Sequence, residues 1–336
     1  MKFIRIQDLY ALAVIILIKL VSGFSSLLPK ELIVKSIALV AYHFSGNKRR
    51  CIEKNLSEAF NGKLSKNQRR EIGKGAFHEF WRETFSRLPT RQEREALKKV
   101  DVRGREHLQK ALRNGKGVIL WESNAFGRRA LSKQILHANG FSIHQVFGEI
   151  HLRGFLSDGR SNSWAREHII KMEMERCEKP FLAEIIYLPS SDSLVFTRIL
   201  LDRLKENAIL CIPGDGRSGK KLLPIRFLGH IGLFPTGMVS LAKISGASIL
   251  PIFCIQEERG KTSLIIEPPI RIEKEVDRER ALEKGVIQYV SLLESYIRKY
   301  PKQYRDWRSL GSSINNEFAI KASMEYSRMG SPPSTS

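Results

Sequence analysis

The chain has 336 residues, 42% hydrophobic and 27% charged, which excludes wholesale disorder and suits one large α/β domain with appendages. Fifty-six Lys and Arg against 35 Asp and Glu leave a net charge of +21, a surplus that draws polyanions: nucleic acid, anionic lipid headgroups or an acidic carrier protein. Cys51, Cys177, Cys211 and Cys254 lie far apart without CxxC spacing, against a disulfide framework or zinc site and in favour of a reducing compartment.

Residues 9–28 form an apolar run broken by Lys19, Gly23 and three serines. Its clean stretch, 9–18, is about half of what a spanning helix needs. A signal peptide suits Lys2 and Arg5 ahead of the run, but no small-x-small cleavage site follows. A tilted spanning helix and a buried core helix also fit. A helix lying in the membrane interface fits Lys19 best, because its long stem can lift the ammonium to the headgroups. Residues 31–44, with Leu32, Ile33, Ile37, Leu39 and Val40 beside Lys35, suit a second amphipathic helix against a bilayer. Cations then crowd in from Lys48, Arg49 and Arg50 to Arg69 and Arg70, an asymmetry that would keep the main domain cytoplasmic.

Beyond residue 50, helices are expected over 66–87, 128–139, 164–178, 193–205, 235–245 and 280–299. The last has an apolar face, with Ile287, Val290, Leu293 and Ile297 three and four apart. Apolar runs bounded by turn residues predict buried strands at 117–121, 143–147, 208–212, 248–254 and 263–267. This alternation predicts an α/β fold: a largely parallel central sheet covered by helices, with an N-terminal helical membrane-binding segment. The expected division is an anchor and amphipathic segment over 1–45, an α/β domain over 46–310, and a disordered tail over 311–336 that ends GSPPSTS.

The segment 212–219, IPGDGRSG, follows a predicted strand, and its glycines permit a tight turn around Asp215 with Arg217 beside it. It is neither a Walker loop nor a GxGxxG fingerprint, and a Gly-rich loop taken alone is more often just a turn. Further on, Phe234-Pro235-Thr236-Gly237 places turn and cap chemistry ahead of an apolar helix, with His230 in the connecting loop. The string from Asp215 through Gly229, this FPTG turn and Leu250-Pro251-Ile252-Phe253 resembles the late acyltransferases of lipid A biosynthesis, within the lysophospholipid acyltransferase-like superfamily. Arg49-Arg50, Asn55-Leu56 with Phe60, Phe77 in a helix, and IRKYPKQYRDW at 297–307 extend the likeness over residues 5–310.

The resemblance implies transfer of a fatty acyl group from a thioester donor to a membrane lipid or saccharide at the cytoplasmic face of the inner membrane. The donor would be carried on acyl carrier protein or coenzyme A, with no metal and no cofactor besides that co-substrate. It also implies a histidine, four residues, then Asp or Glu: the imidazole takes the acceptor's proton and the carboxylate orients it. Anchored on Phe126-Gly127, those slots here hold Ala125 and Ala130, and a slide by one residue gives Asn124 and Arg129. None of these is a base with an orienting acid.

Glu122, at the strand end, is the first substitute and His151 the second, with His144 and Glu149 in the same stretch. Asn124, Arg128, Arg129, Asp215, Gly216, Arg217, Thr236 and Gly237 are the expected substrate-binding positions, the arginines suiting a phosphate or phosphopantetheine group. The rival expectation is a catalytically inactive relative that keeps the lipid groove. A nucleic-acid partner is not expected, because no reader motif accompanies the charge.

Overall fold

A computed structural model describes residues 30–87, 89, 91–147, 171–187, 193–215, 221–257, 260–273 and 277–310, with isolated positions of an earlier helix between 13 and 20. The chain opens with three helices, α1 (Lys30–His43), α2 (Gly46–Ala59) and α3 (Lys66–Ser86), and a short α4 (Arg91–Ala96). There follow β1 (Asp101–Arg103), α5 (Arg105–Arg113), β2 (Val118–Glu122), α6 (Arg129–Ala138), β3 (Ile143–Phe147), α7 (Lys171–Glu178), β4 (Glu184–Tyr187) and α8 (Ser193–Lys205). Next are β5 (Ile209–Pro213), a hairpin of β6 (Leu222–Phe227) and β7 (His230–Pro235), α9 (Gly237–Ser245), β8 (Ser248–Gln256), β9 (Thr262–Ile266) and α10 (Arg278–Lys299).

Seven strands form one sheet in the order β1-β9-β8-β2-β5-β3-β4. The run from β8 to β4 is parallel, while β9 turns antiparallel to β8 and takes β1 with it. The expected largely parallel sheet is therefore present. Every residue of β2 is buried, as a central strand covered on both faces requires. Alternate side chains serve opposite cores. Ile119 and Trp121 point to the face of α8, α9 and α10, Val118 and Leu120 to the face of α5 and α6.

Three helices, α2, α4 and α5, and four strands escaped the sequence reading. α2 was read as a cationic surface, yet Ile52, Asn55, Leu56 and Ala59 recur at helical spacing and are buried. Asn55 is held there by donating to the carbonyls of Trp307 (2.8 Å) and Leu310 (3.1 Å). α5, β1 and β4 are too short for a periodic signal, and β6 carries Pro224 and Arg226. His230 does not lie in a loop: it opens β7, opposite Phe227. The hairpin turns on Leu228 and Gly229, both at positive φ (50° and 79°). A leucine there is strained, and complete burial of its side chain in the main core offsets that cost.

α1 packs Val34 and Ala38 on Trp81 and Phe85 of α3, so it belongs to the folded body. Its other face exposes Leu32 and Val40, and Phe44 beyond it is 89% exposed. Among the described residues no helix is long and apolar enough to cross a membrane. Most of the expected anchor, the helix start before Lys171 and the tail beyond Leu310 lie outside the described residues.

Candidate active site

In a parallel α/β sheet, sites form at the carboxyl ends of the strands. Here β2 and β5 end side by side, Glu122 opposite Pro213. From these ends hang the loop 123–128 and Gly214-Asp215. Gly214 donates to the Glu122 carbonyl (2.9 Å). It must be glycine, because a Cβ would lie 1.5 Å from Trp121 Nε1, and Trp121 is fixed by stacking on Tyr289 (4.0 Å between centroids, 8° between planes).

Asp215 is a staple. Its carboxylate accepts from the Ser123 hydroxyl and from the amides of Asn124 (2.6 Å) and Ala125 (3.1 Å). Ser123 Oγ accepts in turn from the Phe126 amide (2.9 Å). Arg305 clamps the loop from the other side. Its amide donates to the Ala125 carbonyl (2.8 Å), and its guanidinium donates to the carbonyls of Asn124 (2.5 Å) and Gly127. Gly127 sits at φ 69° with its Cα against the Cys254 carbonyl, where a side chain would not fit.

Below the loop lies a buried charge cluster. Glu122 is 2% exposed. It accepts from Gln145 (3.0 Å) and lies 3.6 Å from both Arg129 Nε and Lys133 Nζ. Burial, then repulsion from Arg129, pushes the Lys133 ammonium below its ordinary pKa. Glu178, ion-paired with Arg87, is held below the usual carboxylate range: burial opposes this, but Arg87, Lys133 and Arg129 prevail. The same balance raises Arg129, where Glu122 and Glu178 outweigh burial.

On the other flank α3 brings Glu79 to Arg128 (3.1 Å), and Glu83 accepts the Ala130 amide (3.0 Å) at the start of α6. A carboxylate at a helix amino end is favoured by the helix dipole.

The expected residues therefore fall into three groups. Glu122, Asn124, Arg128, Arg129 and Asp215 are brought together at the strand ends. Their visible partners are internal: Arg128 with Glu79, Arg129 with the Asn124 side chain (2.7 Å) and Glu122, and Asp215 with the loop. Thr236 is buried at the start of α9, and its hydroxyl goes to the Lys221 carbonyl (3.3 Å) instead of capping the helix. Gly237 follows it with open space at its Cα. His151, Glu149, Gly216 and Arg217 lie outside the described residues.

His144 stands at the amino-terminal half of β3, paired with Glu184 (3.0 Å), away from the strand ends that carry the loop. A groove of about 440 Å³ between β9 and α10, lined by Ile265, Glu267, Tyr296 and Tyr300, includes none of the expected residues.

The sequence reading missed Glu79, Glu83, Lys133 and Arg305. Only the polar pair Glu79 and Glu83, one helical turn apart within a helix rich in aromatic residues, hinted at a buried role.

A parallel sheet whose central strand ends in a stapled loop flanked by arginines defines an α/β protein that presents a site at that edge. The chain matches the model of the bacterial lipid A biosynthesis acyltransferases over residues 5–124 and 186–307, more than half its length, and belongs to that family. The first matched segment ends one residue before Ala125. The chain is also similar to the phosphatidylinositol mannoside acyltransferase of Mycobacterium tuberculosis (strain CDC 1551 / Oshkosh): 23% identical over 187 residues, 55% of this chain and 54% of the relative. The counterpart from strain ATCC 25618 / H37Rv agrees over the same shares. The chain spans about half the length of these curated relatives.

Proposed function

We propose that this protein transfers a fatty acyl group from a thioester donor to a hydroxyl or amine of a membrane lipid or saccharide, working at the cytoplasmic face of the inner membrane. The observation that carries this reading is the strand-end loop itself, which within an acyltransferase family is held rigid by Asp215 and Arg305. Preorganisation of this kind is what a transferase needs and a passive surface does not. The exposed apolar face of α1 supports a membrane acceptor. The surplus of positive charge supports a donor on coenzyme A or an acidic acyl carrier protein. A cofactor other than the thioester is not part of the proposal.

A second reading, a catalytically inactive lipid-binding relative, is favoured by Ala125 and Ala130 in the dyad slots. Mass spectrometry of lipids from cells with and without the gene separates the two. The transferase reading expects an acylated lipid that disappears on deletion. An unchanged lipid profile, with purified protein that still binds vesicles, would favour the inactive relative.

A further inference from the structure

With Ala125 and Ala130 in the slots, a proton acceptor for acyl transfer must come from elsewhere in the fold. Glu122 is sealed beneath α6. Among the other described histidines, His144, His230 and His107 lie beside carboxylates away from the loop (Glu184, Glu58 and Glu106), His137 packs edge-on against Phe181 and His43 against Tyr42. His78 differs. It lies on α3 next to Glu79, whose carboxylate holds Arg128 of the site loop, and one turn before Arg82.

His78 Nε2 lies 3.1 Å from Glu31 Oε1, and Arg82 Nε lies 3.3 Å from the other oxygen of the same carboxylate. Arg82 also reaches Glu79 (3.6 Å). A continuous chain of charged contacts thus joins His78 to the loop: Glu31, Arg82, Glu79, Arg128. The His78 imidazole beside it is the main influence holding the Glu31 carboxyl below its usual range, with Arg82 and Arg128 adding to it against burial. The imidazole remains 25% exposed, and Leu32, beside Glu31, presents an apolar side chain to solvent. An amphiphile lying along α1 would bring its polar end to this ring.

We propose that His78, oriented by Glu31, is the general base of the acyl transfer, replacing the dyad that the loop has lost; this rests on the transferase reading above. Nδ1, the ring nitrogen turned away from Glu31, takes the proton of the acceptor hydroxyl as its oxygen attacks the thioester carbonyl. The tetrahedral intermediate collapses, the C–S bond breaks, and the imidazolium returns its proton to the departing thiolate. An ester and a free thiol result. Glu31 stabilises the imidazolium, and Arg82 keeps that carboxylate in place.

The test uses full-length protein with palmitoyl-coenzyme A and palmitoyl-acyl carrier protein. A total polar lipid extract of the source cells supplies the acceptor, and release of free thiol and labelled lipid is followed. His78→Ala should lower the rate about 10²–10⁴-fold, the usual contribution of a general base. His78→Gln guards against misfolding: it keeps a hydrogen-bonding group near Glu31 and should melt like the wild type yet be as slow. Glu31→Gln should lose about tenfold and shift the acid limb of the pH–rate profile, a limb absent in His78→Gln. A folded His78→Gln within twofold of the wild-type rate would overturn the assignment and leave the transferase reading intact. Wild-type protein that releases no thiol and labels no lipid from either donor would overturn both.

Discussion

Buried charge is the distinctive feature at the scale of single residues. Glu122 faces Arg129 and Lys133 where solvent cannot screen them. Removing one member of such a group leaves the others uncompensated, at a typical cost of about 3–5 kcal/mol. Glu122→Gln should therefore destabilise the protein by about that amount in urea titrations, and adding Lys133→Met should recover part of the loss. Additive effects would show that the contact is not energetically coupled. The same variant bears on catalysis: a folded Glu122→Gln with a rate more than about 10²-fold reduced would place the base at Glu122 instead of His78.

Glu184 gives a pH-dependent case. Hydrogen bonding from Arg203, then from His144, holds its carboxyl at about 2 against an ordinary 4.5. A depressed carboxyl stabilises the fold above its ordinary value and loses that contribution as pH falls towards its folded value. The wild type should therefore exceed Glu184→Gln in stability at neutral pH. That gap should close between pH 4.5 and about 2. Partial exposure limits it to about 1 kcal/mol, and a gap that stays constant across this range would refute the pairing.

Among the elements, the loop 123–128 depends on two distant segments, Gly214-Asp215 after β5 and Arg305 after α10. Arg305→Met keeps the apolar stem but frees the carbonyls of Asn124 and Gly127. Hydrogen exchange at the Phe126 and Arg128 amides should accelerate while exchange in β8 stays at its wild-type rate. Equal acceleration in both would indicate global unfolding. Legibility varied by element for physical reasons. β2, β5 and β8 are continuous apolar runs with no polar face, so their burial shows in sequence. The β6–β7 hairpin turns on Leu-Gly without an Asn-Gly or Asp-Gly signal, so its turn is chosen by packing. α2 buries only one narrow stripe beneath a cationic face, which hid it among the surface charges.

The whole molecule carries +21, and α1 both packs on α3 and exposes apolar side chains. A truncation that began at residue 46 would strip Trp81 and Phe85 of their cover, so the membrane test should begin at residue 30. Residues 30–336 should pellet less completely with vesicles than the full chain, and high salt should widen the difference. Equal sedimentation of the two would remove the anchor from residues 1–29. A donor recruited by charge should also show a Michaelis constant that rises with ionic strength, because fields at an exposed surface are screened within about 8 Å in physiological salt.

By itself the sequence determined the alternation of buried strands and helices, the family, and the empty dyad slots, because these lie in local hydrophobic pattern and in short ordered motifs. It could equally place Asp215 and Arg129 near a site, since strand ends in a parallel sheet converge. Only the tertiary structure decided what those residues do. Asp215 ties a loop 90 residues earlier in the chain, Arg305 closes that loop from a segment 181 residues beyond Asn124, and Glu31 meets His78 across two helices. Such contacts follow from how helices pack across the strand ends, and pairing energies between residues remote in sequence leave no trace in the local pattern.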